Sequence, residues 1–167
     1  ASSSGIFLGK DFHFDVARPG ISIYGVNPTP NEKNPMTPVV TLKARIVQVR
    51  TTKKGETIGY GETYRTSNQT KIATAAIGYA DGFSRSLSNN TCGYIDDKKV
   101  PLVGRISMDL ITFDITSIPE GEGLIGQWIE LIGKHRTVDQ IANEVGTIGH
   151  EILTSLGQRF DRVYSEN

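Results

Sequence analysis

Between residues 39 and 132 apolar and polar residues alternate in runs too short for a helix, and turn-forming residues separate the runs. No other feature constrains the fold as tightly. Residues 39–49 place Leu42, Ala44, Ile46 and Gln48 on one face and Val47 and Val49 on the other. Lys53-Lys54-Gly55-Glu56 reads as a turn. Residues 70–79, rich in small and β-branched side chains, read as a buried strand ended by Asp81-Gly82. Residues 91–95 and 100–103 flank Asp96-Asp97-Lys98-Lys99, a hairpin. Ile111, Phe113 and Ile115 alternate with Thr112 and Asp114, and residues 128–132 form a further strand. Short strands at regular spacing predict a mainly β fold, a small antiparallel barrel or sandwich.

Helical spacing is confined to the end of the chain. Thr137-Val138-Asp139-Gln140 has the form of a capping box, in which the threonine accepts from the third helical N–H and the glutamine reaches back. Val138, Ile141, Ala142 and Val145 then line one face, and Gly146 sits at a natural stop. A second short helix is expected over residues 147–156, and residues 159–164 could return as a final strand. Residues 1–36 differ in character. Ser2, Ser3 and Ser4 lead into a short apolar piece, and residues 27–38 carry Pro28, Pro30, Pro35 and Pro38, which predicts an extended linker.

Composition excludes some functions. Lys+Arg and Asp+Glu are 18 each in 167 residues, so neither a nucleic-acid binder nor a polybasic membrane attachment is expected. The apolar stretches fall short of a bilayer span, and residues 1–12 lack the pattern of a signal peptide. Cys92 is the single cysteine, so no intramolecular disulfide can form, and a cytoplasmic location is expected.

Taken one at a time, the chemistry-bearing residues leave their roles open. Residues 2–4 could offer hydroxyls and N–H groups to a phosphate or be a flexible start. Arg18-Pro19-Gly20 could touch an anion or be a turn. In Gly59-Tyr60-Gly61 the glycines permit close backbone approach, so Tyr60 is either projected into a site or ends a strand beside a bulge. Tyr79, before Ala80-Asp81-Gly82, shares that ambiguity. His13, His135 and His150 are too dispersed for a metal site and read as surface histidines.

Together the motifs are specific. Ala17-Arg18-Pro19-Gly20-Ile21 with Tyr24-Gly25, Ile58-Gly59-Tyr60-Gly61-Glu62-Thr63-Tyr64, Ile77-Gly78-Tyr79-Ala80-Asp81-Gly82-Phe83 and Val103-Gly104-Arg105-Ile106-Ser107-Met108-Asp109 resemble, in order and spacing, the motifs of the pyridoxal-phosphate-dependent alanine racemases. Ile148-Gly149-His150-Glu151-Ile152-Leu153 is similar to that family's C-terminal helix, which often has tyrosine where His150 stands. The resemblance runs from about Ser2 to Arg162. It implies that residues 1–38 are the end of an N-terminal pyridoxal-phosphate-binding (β/α)8 barrel plus linker, and residues 39–167 the C-terminal β domain.

The resemblance also implies roles. Ser3, Gly20 and Ile21 would contact the cofactor phosphate, and Arg18 would face the pyridine nitrogen. Tyr60 would be one of two acid/base groups, Tyr79 would line the substrate's path, and the Met108 backbone N–H would help hold the substrate carboxylate. Arg85, Arg105 and Asp109 would line the access corridor. Ser2 stands where the family usually has asparagine, and Gln158 where some members have a phosphate-binding tyrosine. A racemase takes the α-proton from one face and returns one to the other, which two opposed bases do directly, and the cofactor acidifies the α-carbon. A phenol ordinarily titrates near 10, so a tyrosine base at neutral pH needs a cation or donor beside it. The implied activity is interconversion of L- and D-alanine, supplying D-alanine for peptidoglycan, in a homodimer. None of the lysines matches the family's cofactor-anchoring lysine, which lies upstream, so this chain alone is expected to be inactive. A non-catalytic β-domain interaction module and a racemase of broader amino-acid specificity are the alternatives.

Overall fold

The computed structural model of the chain describes residues 1–29, 31–119 and 124–165. Among the described residues the strands are β1 (Leu42–Thr52), β2 (Thr57–Ile58), β3 (Tyr64–Arg65), β4 (Thr70–Ala76), β5 (Cys92–Ile95), β6 (Lys98–Pro101), β7 (Leu110–Asp114) and β8 (Trp128–Ile132). Six of them form one antiparallel sheet in the order β6-β5-β8-β1-β4-β7. Just past β6, Leu102 bridges to Phe113 of β7, and the Val103 N–H donates to the Thr112 carbonyl at 2.9 Å. The two edges of the curled sheet therefore touch at one bridge, and of the two expected architectures the sheet is nearer the barrel, as a half-barrel.

The inward residues are those the alternation selects: Leu42, Ala44 and Ile46 from β1, Ile111 and Phe113 from β7, Ile129 and Leu131 from β8. Gln48 does not follow its expected face. Ile46 pairs with Ala75 and Gln48 with Thr74, which leaves Val47 without a partner. This bulge turns Gln48 outward, where it accepts from the Thr74 hydroxyl, and turns Val49 towards the core. β4 is shorter than expected and ends at Ala76. Ile72 and Ala73, adjacent in sequence, are both fully buried because a second apolar cluster of Ile58, Ile72 and Val103, flanked by Tyr64, covers its outer side. That cluster seats the β2–β3 hairpin on the barrel wall.

The β5–β6 turn is tighter than the four-residue hairpin expected. Ile95 pairs with Lys98, and Asp96-Asp97 alone make the turn, Asp96 with φ +52°. His135 is not a surface histidine. It stacks on Tyr94 with ring centroids 4.7 Å apart, between Glu130 Oε1 at 3.1 Å and Asp97 Oδ1 at 2.8 Å. The hydrogen bond from His135, then the bond and charge of Lys134, hold the Asp97 carboxyl below its ordinary 3.8. A lowered carboxyl pKa contributes stability above the ordinary value and loses it as pH falls through the folded-state value. In an NMR titration the Asp97 carboxyl carbon should therefore move with a midpoint below 3.8, and His135→Leu should raise that midpoint. A midpoint at or above 3.8 in the unaltered protein would exclude this His135–Asp97 interaction.

The C-terminal helices are α2 (Val138–Val145) and α3 (Gly149–Ser155). The expected capping box is present: the Thr137 N–H donates to Gln140 Oε1 at 2.8 Å, and the Gln140 N–H to Thr137 Oγ1 at 3.2 Å. Buried Arg136 fastens α2 to the barrel, donating to the Cys92 carbonyl at 2.7 Å and to the Glu144 carboxylate. Residues 159–164 form no strand; Arg159 turns to Asp81 and Asp109, and Phe160 packs on the core.

Helices are not confined to the end. α1 (Ser3–Phe7) opens the chain, and Ser2 and Arg18 form an isolated parallel bridge around it. The expected extended linker instead folds back. Val26 enters the core, the Asn27 N–H donates to Asp139 of α2 at 3.0 Å, and Asn34 Nδ2 donates to the Gly25 carbonyl at 2.9 Å. Pro30 lies outside the described residues. Among the described residues no helix is long and apolar enough to cross a membrane.

Candidate active site

Tyr60 lies on the loop between β2 and β3, in a short 3-10 turn over Tyr60–Glu62, and is 73% exposed. Its flanks are conformationally demanding: Gly59 has φ +75° and Gly61 +70°. A Cβ on Gly59 would lie 2.9 Å from the Arg105 nitrogen, and one on Gly104 would lie 2.6 Å from the Ile58 carbonyl oxygen. Two glycines from motifs 45 positions apart thus let the Tyr60 loop lie directly on the Gly104–Arg105 backbone. Asn89, itself at φ +58°, fastens the crossing: its Nδ2 donates to Thr63 Oγ1 at 3.0 Å, and its Oδ1 accepts the Gly104 N–H at 2.6 Å. Beside it lies a cleft of about 350 Å³ lined by Thr63, Arg85, Ser86, Ser88, Asn89 and Arg105. The two arginines expected in a corridor share one wall with the Tyr60 loop.

Tyr79 and Met108 meet through the backbone. The Tyr79 N–H donates to the Ser107 carbonyl and the Ala80 N–H to the Met108 carbonyl, each at 3.0 Å. Both side chains are largely exposed. Asp109, next to Met108, accepts from Arg159 Nη2 at 2.7 Å. Of the other tyrosines nearby, Tyr64 has its phenol pushed above the ordinary value by burial and then by the charge of Asp114, so the phenolate that could accept a proton is scarcer there at neutral pH.

A separate group lies at the start of the chain. Ser3, 6% exposed, accepts with its Oγ from the Gly20 N–H at 2.8 Å, the Ser22 N–H at 3.4 Å and the Ser22 hydroxyl at 3.2 Å. Ile21, between them, is half-buried. Arg18 is exposed at the end of the parallel bridge. Two hydroxyls and two backbone N–H groups on one spot suit a phosphate. Among the described residues no hydrogen bond joins this group to the Tyr60–Met108 group. Gln158 is exposed on the tail.

Residues 39–164 match the family described as alanine racemase, C-terminal domain. This chain belongs to the alanine racemase family. It is 50% identical over 166 residues to an alanine racemase of Rickettsia bellii, covering 99% of this chain and 40% of that protein. The structure superposes on the alanine racemase of Bartonella henselae, which has covalently bound pyridoxal phosphate, with TM-score 0.92 and 45% identity over 99% of this chain and 46% of that one. On the alanine racemase of Bacillus anthracis, solved with bound L-Ala-P, the TM-score is 0.89 at 31% identity, covering all of this chain and 44% of that one. The chain thus spans less than half the length of these alanine racemases.

Sequence reading missed Ser22, Asn89 and Arg159. Asn89 left a signal in Ser88-Asn89-Asn90, because asparagine tolerates positive φ and hydrogen-bonds loops locally. Ser22 follows the phosphate motif with no spacing cue of its own.

Proposed function

We propose that this chain is the C-terminal part of a pyridoxal-phosphate-dependent alanine racemase, and that residues 1–38 are the end of its cofactor-binding barrel. The observation that carries this reading is the gathering of Tyr60, Arg105, Tyr79 and Met108 onto two touching loop pairs. The parallel Ser2–Arg18 bridge with a helix between supports the barrel assignment, since parallel neighbours need a crossover.

Each residue then has a task. Ser3, Ser22 and the Gly20–Ser22 backbone would hold the phosphate, their donors turning from Ser3 Oγ to its oxygens. Arg18 would face the pyridine nitrogen, and since a guanidinium keeps its proton at neutral pH it would donate none there. When bound, the cofactor supplies the electron sink that acidifies the α-carbon. The exposed Tyr60 hydroxyl would move the proton on one face, with the Arg105 backbone and side chain beside its loop. The Met108 N–H would orient the carboxylate, Tyr79 would narrow the approach, and Arg85 and Arg105 would draw in an anionic group through the cleft. A second base on a lysine, and a partner subunit facing Tyr60 in a homodimer, would come from beyond this chain.

Chiral analysis of alanine tests the reading. The longer protein carrying this chain should interconvert L- and D-alanine, and the 167-residue chain with added pyridoxal phosphate should not. Racemisation by the chain alone would overturn the division of labour, and none by the longer protein would overturn the racemase assignment.

A further inference from the structure

We propose that Arg159 is a positioning residue that braces the Tyr79 turn and the Met108 loop as one unit and so sets the grip on the substrate carboxylate. This rests on the reading of Met108 given above. The two loops are 29 positions apart in sequence and belong to different strands. The Met108 loop is a narrow protrusion. Ser107 closes its base, its Oγ donating to the Leu110 carbonyl at 2.8 Å and accepting the Leu110 N–H at 3.1 Å, while Met108 and Asp109 form the exposed tip.

Arg159 reaches both loops with different edges of one guanidinium. Nη2 donates to Asp109 Oδ1 at 2.7 Å, and Nε lies 3.3 Å from Asp81 Oδ1. Asp81 is 7% exposed and is a hub: its Oδ2 accepts the Gly78 N–H at 2.8 Å, and its carbonyl accepts the Gly157 N–H at 3.1 Å. Arg159 is therefore anchored at its own root, two residues past Gly157, as well as at its head. Phe160 packs on the barrel core and fixes the next residue. The flat fork of arginine spans two carboxylates at fixed separation, and the point charge of lysine does not. The bond donated to Asp109, then the charge of Asp81, favour the charged form of the guanidinium further.

The Asp109 pair is half-exposed on both sides, and such pairs add little to overall stability, while the Asp81 pair is half-exposed on the arginine side only. Their effect is on geometry, since without the brace the Met108 tip is held at its base alone. A contact that orients the carboxylate alike in ground and transition states shows in KM rather than kcat. In the longer protein, Arg159→Ala should raise the KM for alanine about tenfold, the order of one hydrogen bond's net contribution, and leave kcat nearly unchanged. Arg159→Lys should fall between, and adding Asp109→Ala to Arg159→Ala should raise KM no further. Hydrogen exchange, which needs no activity, should quicken at residues 107–110 and 79–82 and not in β4. Unchanged KM with unchanged exchange, or a lower melting temperature with a lower kcat and unchanged KM, would overturn the brace. If the unaltered protein does not racemise alanine, the earlier reading fails, and exchange alone decides whether Arg159 braces the loops.

Discussion

Tyr60→Phe in the protein carrying this chain should cut racemisation about 10²–10⁴-fold in both directions, the usual loss for a positioned acid/base group. The substitution removes only the hydroxyl. The ring is 73% exposed and stands clear of the Ile58, Ile72 and Val103 cluster that seats its loop, so the fold should not respond. Both directions suffer because each needs a group on each face. The groups fail unequally in proton exchange. If Tyr60 serves L-alanine and a lysine serves D-alanine, D-alanine in deuterated water should take up deuterium at the α-carbon without inversion, while L-alanine keeps its proton. NMR of the α-proton beside chiral analysis reads both. Near-normal racemisation would exclude Tyr60 as a base. Tyr64 would be a weak substitute, because burial and Asp114 push its phenol up, so attention would pass to Tyr79.

What the sequence makes legible is what local rules govern. The barrel strands are visible because inward residues recur every second position, and the α2 cap because Thr137 and Gln140 satisfy each other across one turn. Tyr60 stands out because its glycines announce a close approach, and the approach is there, on Gly104 and Arg105. Local rules fail where long-range partners decide. Gln48 faces outward because β4 pairs past Val47, and a bulge is a property of two strands together. Residues 159–164 have strand-like composition, but Arg159 is drawn to Asp81 and Asp109 and Phe160 to the core rather than to a sheet edge. Arg159 finds Asp109 from 50 positions away, and His135 finds Asp97 from 38, distances at which spacing carries no information.

Gly78→Ala should disable the site by pushing its two loops apart. Gly78 has φ −159°, extended backbone open to any residue, so the substitution carries no conformational strain of its own. The obstacle is contact alone: a Cβ there would fall well inside van der Waals distance of the Met108 and Ser107 carbonyl oxygens. Those same carbonyls accept the Tyr79 and Ala80 N–H groups, and the Gly78 N–H itself is held by Asp81. Backbone on both sides leaves no flexible side chain to yield, so the loops must separate or the strand must shift. Overpacking of this kind costs about 1–3 kcal/mol. A displacement near 1 Å at groups that orient a substrate costs about 10²-fold in rate. Gly55→Ala makes the contrast. Gly55 has φ +86° and faces open space, so alanine there meets backbone strain of about 1–3 kcal/mol and no neighbour. Both variants should melt earlier, and only Gly78→Ala should lose kcat/KM for alanine. Equal loss of kcat/KM in the two would mean that general destabilisation, rather than the spacing of Tyr79 and Met108, limits the reaction.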